Sequence, residues 1–259
     1  MFDWIPNLPV VVIALVALAG MALITLAIYA LVMRLAASER AEAFQALSPG
    51  MLPPMGILFA LIVGFLAVGV WGNVDSAEDA VSTEASAVRS AAILSDNLPP
   101  DVRVRIRADL RRQIENAVND EWPAMEEQRA DLTAIPVPLA DALHLAGRFE
   151  PQSEAHTVVQ RELVASIQAA FNARRRRVVE SESGINAVKW LGLIALAALS
   201  LAAIALVHSG NRTTARVAMG VFAAAVAVVI TMLAAEEQPF AGQLGIDPDV
   251  LEQVLPRGS

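Results

Sequence analysis

The 259-residue sequence has no cysteine, one lysine (Lys189), one tyrosine (Tyr29) and three histidines. Without a thiol there is no disulfide, thiolate metal site, iron–sulfur cluster or cysteine nucleophile. His144, His156 and His208 are too few and too scattered for a histidine-rich metal centre, and none is assigned a catalytic role. Charge is scarce too: 18% of residues are charged, and 27 acids against 19 bases leave a net charge of −8. Such a chain has no basic surplus for wrapping nucleic acid. There is no glycine-rich phosphate loop, serine nucleophile elbow or His-Glu metalloprotease helix. No enzyme, cofactor or metal is therefore expected. What the chain has in excess is apolar: 56% of residues are hydrophobic and the mean hydropathy is +0.52, above the range of ordinary soluble domains.

A hydrocarbon layer of about 30 Å takes roughly 20 helical residues to cross. Four stretches qualify, predicted as transmembrane helices at 8–33, 52–71, 188–208 and 215–235, in two pairs. Thr25 and Tyr29 are the only polar side chains of the first. Its length, with Asp3 ahead of it where a signal peptide carries bases, predicts a retained span. The second follows Pro53 and Pro54, which suit a helix's first turn, and ends at Trp71, an interfacial anchor. In the last two spans Ala198 and Ala202, Gly220 and Ala224, and Ala223 and Ala227 stand at i, i+4, which permits close helix approach or reflects the abundance of alanine. No Asp, Glu, Arg or His lies mid-span, so a proton relay lacks its residues and the narrow part of any path is expected to be apolar.

Four spans place both termini and the long intervening segment on one side. The short loops hold Arg34, Arg40, Arg212 and Arg216, and basic short loops stay in the cytoplasm. Termini and insert are therefore expected outside the inner membrane, although the run Arg174 to Arg177 pulls the other way.

The insert, residues 72–187, reads as helix nearly throughout, with 19 acids and 13 arginines. From Asn73 to Ser95 no Pro or Gly interrupts, so the second span is expected to continue out of the bilayer. Pro99, Pro100 and Asp101 signal a new start. Val102, Ile106, Leu110, Ile114, Val118 and Trp122 follow at i+4 steps, one apolar stripe. Arg103, Arg105, Arg107, Arg111 and Arg112 lie off it, as an anion site or as a solvated, salt-bridged face with Asp101, Asp109 and Glu115. Pro123 bends or ends this helix. Pro136, Pro138 and Gly147 mark an irregular connection between Leu132 and Pro151. A last helix starts near Ser153 and Gly184 interrupts it before the third span. The insert reads as too thin for its own core, so its stripes should pack on each other or on neighbouring subunits. Residues 236–255 form an extramembrane tail, and 256–259 resemble a protease-tag remnant.

Asp75, Glu78, Asp79 and Glu84 form an acidic collar beyond the second span. In a symmetric oligomer it would ring a pore mouth and favour cations; alone it is the solvated start of a surface helix. Glu84, between Ala80, Ala85 and Val88, also reads as a partly buried structural acid. Glu121, Trp122 and Pro123 with Glu126 and Glu127 suit a hard cation or a helix end with a packed Trp; their spacing is not that of a calcium loop.

Several strings together resemble a known family. Gly56-Ile57-Leu58-Phe59-Ala60, Gly64-Phe65, Trp71, the stretch from Asp75 to Glu84-Ala85, the turn Glu121-Trp122-Pro123 and the tail Gln238-Pro239-Phe240-Ala241-Gly242 look like the bacterial bestrophin-like family of four-span membrane proteins. Order and spacing agree over nearly the whole chain. Leu52-Pro53-Pro54 departs from the polar Asn or His that members usually carry before the second span. Trp71, Glu121, Trp122, Pro123, Pro239, Phe240 and Gly242 are the motif positions to which the resemblance gives a structural role. The family's relation to bestrophin chloride channels implies an oligomer whose pore is lined by the second helix, through Leu58, Ile62, Phe65 and Gly69 or the adjoining Phe59, Val63 and Leu66. It also implies cytoplasmic termini and insert, opposite to the charge rule.

The expected fold is all-α: a polytopic membrane protein with four transmembrane helices in two pairs and a helical insert between helices 2 and 3. Its expected partners are the lipid bilayer, further copies of itself and inorganic ions, with no nucleic acid. The expected function is a homo-oligomeric ion channel or pore of the bacterial inner membrane. The alternative is a non-conducting scaffold or sensor whose insert binds a partner.

Overall fold

The computed structural model describes residues 8–36, 49–133 and 135–254; Asp3, Arg40 and the tag-like 256–259 lie outside them. The described residues form helices α1 (Val10–Ala36), α2 (Leu52–Ser95), α3 (Pro100–Asn116), α4 (Trp122–Glu126), α5 (Val137–Arg148), α6 (Glu154–Ser181), α7 (Ala187–Val207), α8 (Arg212–Ala235) and α9 (Asp249–Glu252). No strand occurs among the described residues. The chain divides into two compact units, one comprising residues up to Gly72 with Gly184–Glu237, the other Asn73–Ser183 with the tail from Gln238.

The first unit holds α1, the start of α2, α7 and α8, and each of the four helices is long and apolar enough to cross a membrane. Its interior is built from small and flexible side chains: Ala17 and Met21 of α1, Ala197, Leu201 and Ala205 of α7, and Met219, Ala223, Val226 and Ala227 of α8 form one cluster. Alanine at these positions lets backbones approach, the packing mode available where lipid is as apolar as the partner helix. The pair Ala223 and Ala227 is buried in this way, whereas Gly220 and Ala224 stay open and Ala198 and Ala202 are half-buried. Helix α8 starts three residues before the expected 215, because the Asn211 side chain accepts from the Thr213 and Thr214 amides and caps two otherwise unpaired donors. The helix before the third span ends at Ser181, three residues ahead of the expected Gly184, where the Glu237 carboxylate lies 3.6 Å from where a Cβ would stand and accepts from the Ile185 amide and the Trp190 indole.

Helix α2 runs 44 residues without a break and carries the chain from the first unit into the second. In the second unit the stripe of α3 is inside, with Ile106, Leu110 and Ile114 fully buried. Its arginines are outside and tied locally, Arg107 to Asp96 and Arg112 to Asp109, the outcome expected for a salt-bridged face. Pro123 neither ends the helix nor leaves it regular. Residues Ala117–Glu121 form a π turn in which the Trp122 amide reaches back to the Ala117 carbonyl. A proline lacks the amide for the next bond and its ring crowds the preceding turn, so the helix widens by one residue and goes on to Glu126.

Two expectations fail here. The connection between Leu132 and Pro151 contains helix α5, because Pro136 and Pro138 occupy its N-cap and second position, where an amide is not needed, and Leu139, Ala142 and Ala146 give it a buried face. Nor is the insert too thin for a core. Val81, Val88, Ile106, Leu139, Leu163 and Ile167 belong to one cluster, and the tail completes it with Phe240 and Leu251.

Candidate functional site

On the membrane-spanning part of α2, one face packs and the other does not. Phe59, Val63 and Leu66 are half-buried beside Val70, Leu193 and Leu233, and Phe59 meets Phe222 with ring centroids 5.4 Å apart. Leu58, Ile62, Phe65 and Gly69 face away from this packing; Phe65 is 76% exposed. No ionisable group interrupts that face. Trp71 at its end is 46% exposed.

Beyond it, Asp75, Glu78 and Asp79 are exposed, and Asp79 approaches Arg176 at 3.6 Å. Glu84 does not join them. It is 1% exposed, on the core face of α2 with Ala77, Ala80, Val81 and Val88, so the four-residue collar reduces to three. The physical reason is its partner. Arg177 of α6, 0% exposed, donates Nε to Glu84 Oε2 at 2.7 Å and Nη2 to Glu84 Oε1 at 3.3 Å. The same Nη2 donates to Glu121 Oε2 at 2.7 Å, and Nη1 lies 3.4 Å from the Met125 sulfur. Glu121 accepts from Arg174 Nε through its other oxygen, also at 2.7 Å. Two carboxylates and two guanidinium groups thus cancel. Burial acts against the Arg177 charge, but Glu84 and then Glu121 outweigh it and hold its pKa above the ordinary arginine value.

Trp122 closes the network. The Arg177 guanidinium sits 5.2 Å from the centre of its ring, a cation–π contact with a buried cation. The indole donates to the Ile246 carbonyl at 3.1 Å and meets Phe240 edge-on at 87° with centroids 5.4 Å apart. Pro239 and Gly242 shape the tail that brings these groups in. Gly242 has φ of 79°, a region L side chains avoid, and the Ile246 amide bonds back to the Pro239 carbonyl at 2.8 Å. Gly245 must also lack a side chain, since a Cβ there would stand 3.0 Å from the Phe240 backbone carbon.

The structure therefore brings Glu84, Glu121, Trp122, Pro239 and Phe240 into the second unit's interior. Pro123 stays outside it at the π turn, and Glu126 and Glu127 are exposed, with Glu127 paired to Arg129. Among the described residues no group of three or more His, Asp or Glu side chains could hold a metal ion. His144 is exposed, His156 meets Phe149 edge-on, and His208 bonds the Ile204 carbonyl. Arg174 and Arg177 are absent from the sequence-based expectations for this network, where their run counts only towards topology. A signal is present: Leu163, Ile167, Ala170, Arg174, Arg177 and Ser181 stand at i+3 and i+4 steps on one buried stripe, and an arginine on such a stripe implies a buried partner.

A family model described as Bestrophin-like domain matches residues 19–251. No curated protein matches significantly. Among solved structures, a membrane protein is similar with a TM-score of 0.68 at 13% identity, covering 93% of this chain and 95% of that one. A bacterial bestrophin homologue from Klebsiella pneumoniae is similar in two single-substitution variants: one has a TM-score of 0.67 at 14% identity over 93% of this chain and 96% of that one. The other has a TM-score of 0.67 at 12% identity over 93% and 97%. At such identities the structural likeness speaks for a shared fold only. The family match, spanning most of the sequence and every position of the Glu84, Glu121, Arg177 and Trp122 cluster, goes further: the chain belongs to the bestrophin-like family.

Proposed function

We propose that the chain assembles with copies of itself into an ion channel of the bacterial inner membrane, with a path lined by Leu58, Ile62, Phe65 and Gly69 of α2. The observation that carries this reading is the division of α2 into a packed face and an open, charge-free apolar face. Copies arranged about an axis would turn that face inward. Phe65 and Leu58 would form apolar constrictions that control passage by wetting and drying. Asp75, Glu78 and Asp79, one to three turns farther along the same helix, would ring the mouth and concentrate cations. Family membership supports the channel reading by analogy, since bestrophins include channels.

Planar-bilayer recording of the purified protein tests it. Unitary currents are expected, with a reversal potential in a salt gradient that reports cation preference, and Asp75→Asn with Glu78→Gln is expected to weaken that preference. Absence of unitary current over a wide range of voltage, pH and salt overturns the channel. Anion preference, unchanged in the double variant, overturns the collar alone.

The charge rule, against what the resemblance implies, puts the basic ends of α1 and α8 in the cytoplasm and the insert outside. Leu244 of the tail is 55% exposed and the chain is otherwise free of cysteine, so Leu244→Cys gives a single label site. Labelling by an impermeant maleimide on intact cells is expected; labelling only after lysis reverses the orientation.

A further inference from the structure

Helices α1 and α8 leave a groove of about 260 Å³ between them, lined by Leu18, Ala22, Thr25 and Leu26 on one side and Gly220 and Ala224 on the other. The Thr25 hydroxyl donates to the Met21 carbonyl at 2.7 Å, so the wall offers no free donor and a water would find no set of partners. At Gly220 a Cβ would meet open space. From Thr25 to Leu18 the α1 wall extends about 10 Å at the helical rise. The groove thus suits an extended hydrocarbon chain.

One turn from Gly220, toward the start of α8, stands Arg216. Its Nε donates to the Tyr29 hydroxyl at 3.2 Å and its guanidinium lies 5.9 Å from the centre of that ring. Tyr29 is one turn beyond Thr25 on α1, so both walls lead to this pair. Arg212 is a further turn out. The ion pairs of the described residues lie in the second unit, and none involves Arg212 or Arg216. A guanidinium fork held by a half-buried tyrosine at the end of an apolar channel complements a phosphodiester carrying an acyl chain.

We infer that this groove binds one anionic glycerophospholipid per chain, an acyl chain lying along Gly220 and Ala224 and the phosphate resting on Arg216 and Arg212. The inference rests on the membrane spans and not on conduction. Native mass spectrometry of the full-length protein in detergent, titrated with phosphatidylglycerol or with phosphatidylethanolamine of the same chains, tests it. Phosphatidylglycerol is expected to be retained at one per chain and in preference. Arg216→Gln is expected to lower its retention about fivefold, the equivalent of one surface arginine, with phosphatidylethanolamine unaffected. Gly220→Leu, whose side chain enters open space, is expected to reduce retention of both. Equal retention of the two lipids by the parent, or unchanged phosphatidylglycerol retention in both variants, overturns the site. So does a disulfide between chains in Gly220→Cys, which would put a second copy in the groove.

Discussion

Arg177→Met is expected to destabilise the protein by about 3–5 kcal/mol, the cost of leaving buried charge without its partner. Methionine fills much of the stem's volume but removes every donor from Glu84, which is 1% exposed and is ion-paired with that guanidinium. Glu121 keeps Arg174 and suffers less. The double variant Arg177→Met with Glu84→Gln should therefore recover much of the loss, because an amide tolerates burial better than a lone carboxylate. Arg177→Lys should fall between, since one ammonium cannot serve both carboxylates in the forked geometry. In thermal unfolding of the detergent-solubilised protein the single variant is expected to melt roughly 6–20 °C lower. A melting point equal to the parent's would mean the network carries no net stability. The pH dependence follows from the sign of the shift. A cation whose folded pKa is raised contributes fully below its unfolded value and loses that contribution only as pH climbs through the folded one, here beyond the ordinary arginine range. The parent should thus show no loss from Arg177 between about pH 5 and 9.

Trp122→Ala is expected to cost about 3–5 kcal/mol as well, by a different route. It empties the space against Phe240, removes the donor to the Ile246 carbonyl and strips the aromatic face from Arg177. Trp122→Phe keeps a ring and loses the hydrogen bond, a change of about 1 kcal/mol. The distinguishing readout is local. In hydrogen exchange, amides from Phe240 to Ile246 should lose protection in Trp122→Ala while α7 and α8 exchange as in the parent. Unchanged protection of that tail would refute the anchoring role of Trp122.

The spans are legible in the sequence because a run of twenty apolar residues has few other fates, and the α3 stripe because its period holds through Ile106, Leu110 and Ile114 up to the π turn. Other features depend on partners distant in sequence. Arg177 meets Glu84 across 93 residues and Glu121 across 56, and no local pattern names such a pair. The prolines around α5 look like breakers because a helix start and a loop share the same residues until the buried face of Leu139, Ala142 and Ala146 is weighed with them. The tail's place in the core is hidden for a related reason: Gly242 and Gly245 make a tight turn possible, and only the fold shows what the turn delivers. Glu84 is divided from its acidic neighbours by facing the other side of the same helix.

That division bears on what a passing ion can feel. Two positive and two negative groups set within hydrogen-bonding distance form a closed multipole, whose potential dies away far more steeply than that of a lone charge. The four paired groups are thus electrically silent a few side chains away. In the proposed channel, discrimination between ions would then fall to uncancelled carboxylates such as Asp75 and Glu78, and exchanging those surface charges would retune it without touching the interior that keeps the protein folded.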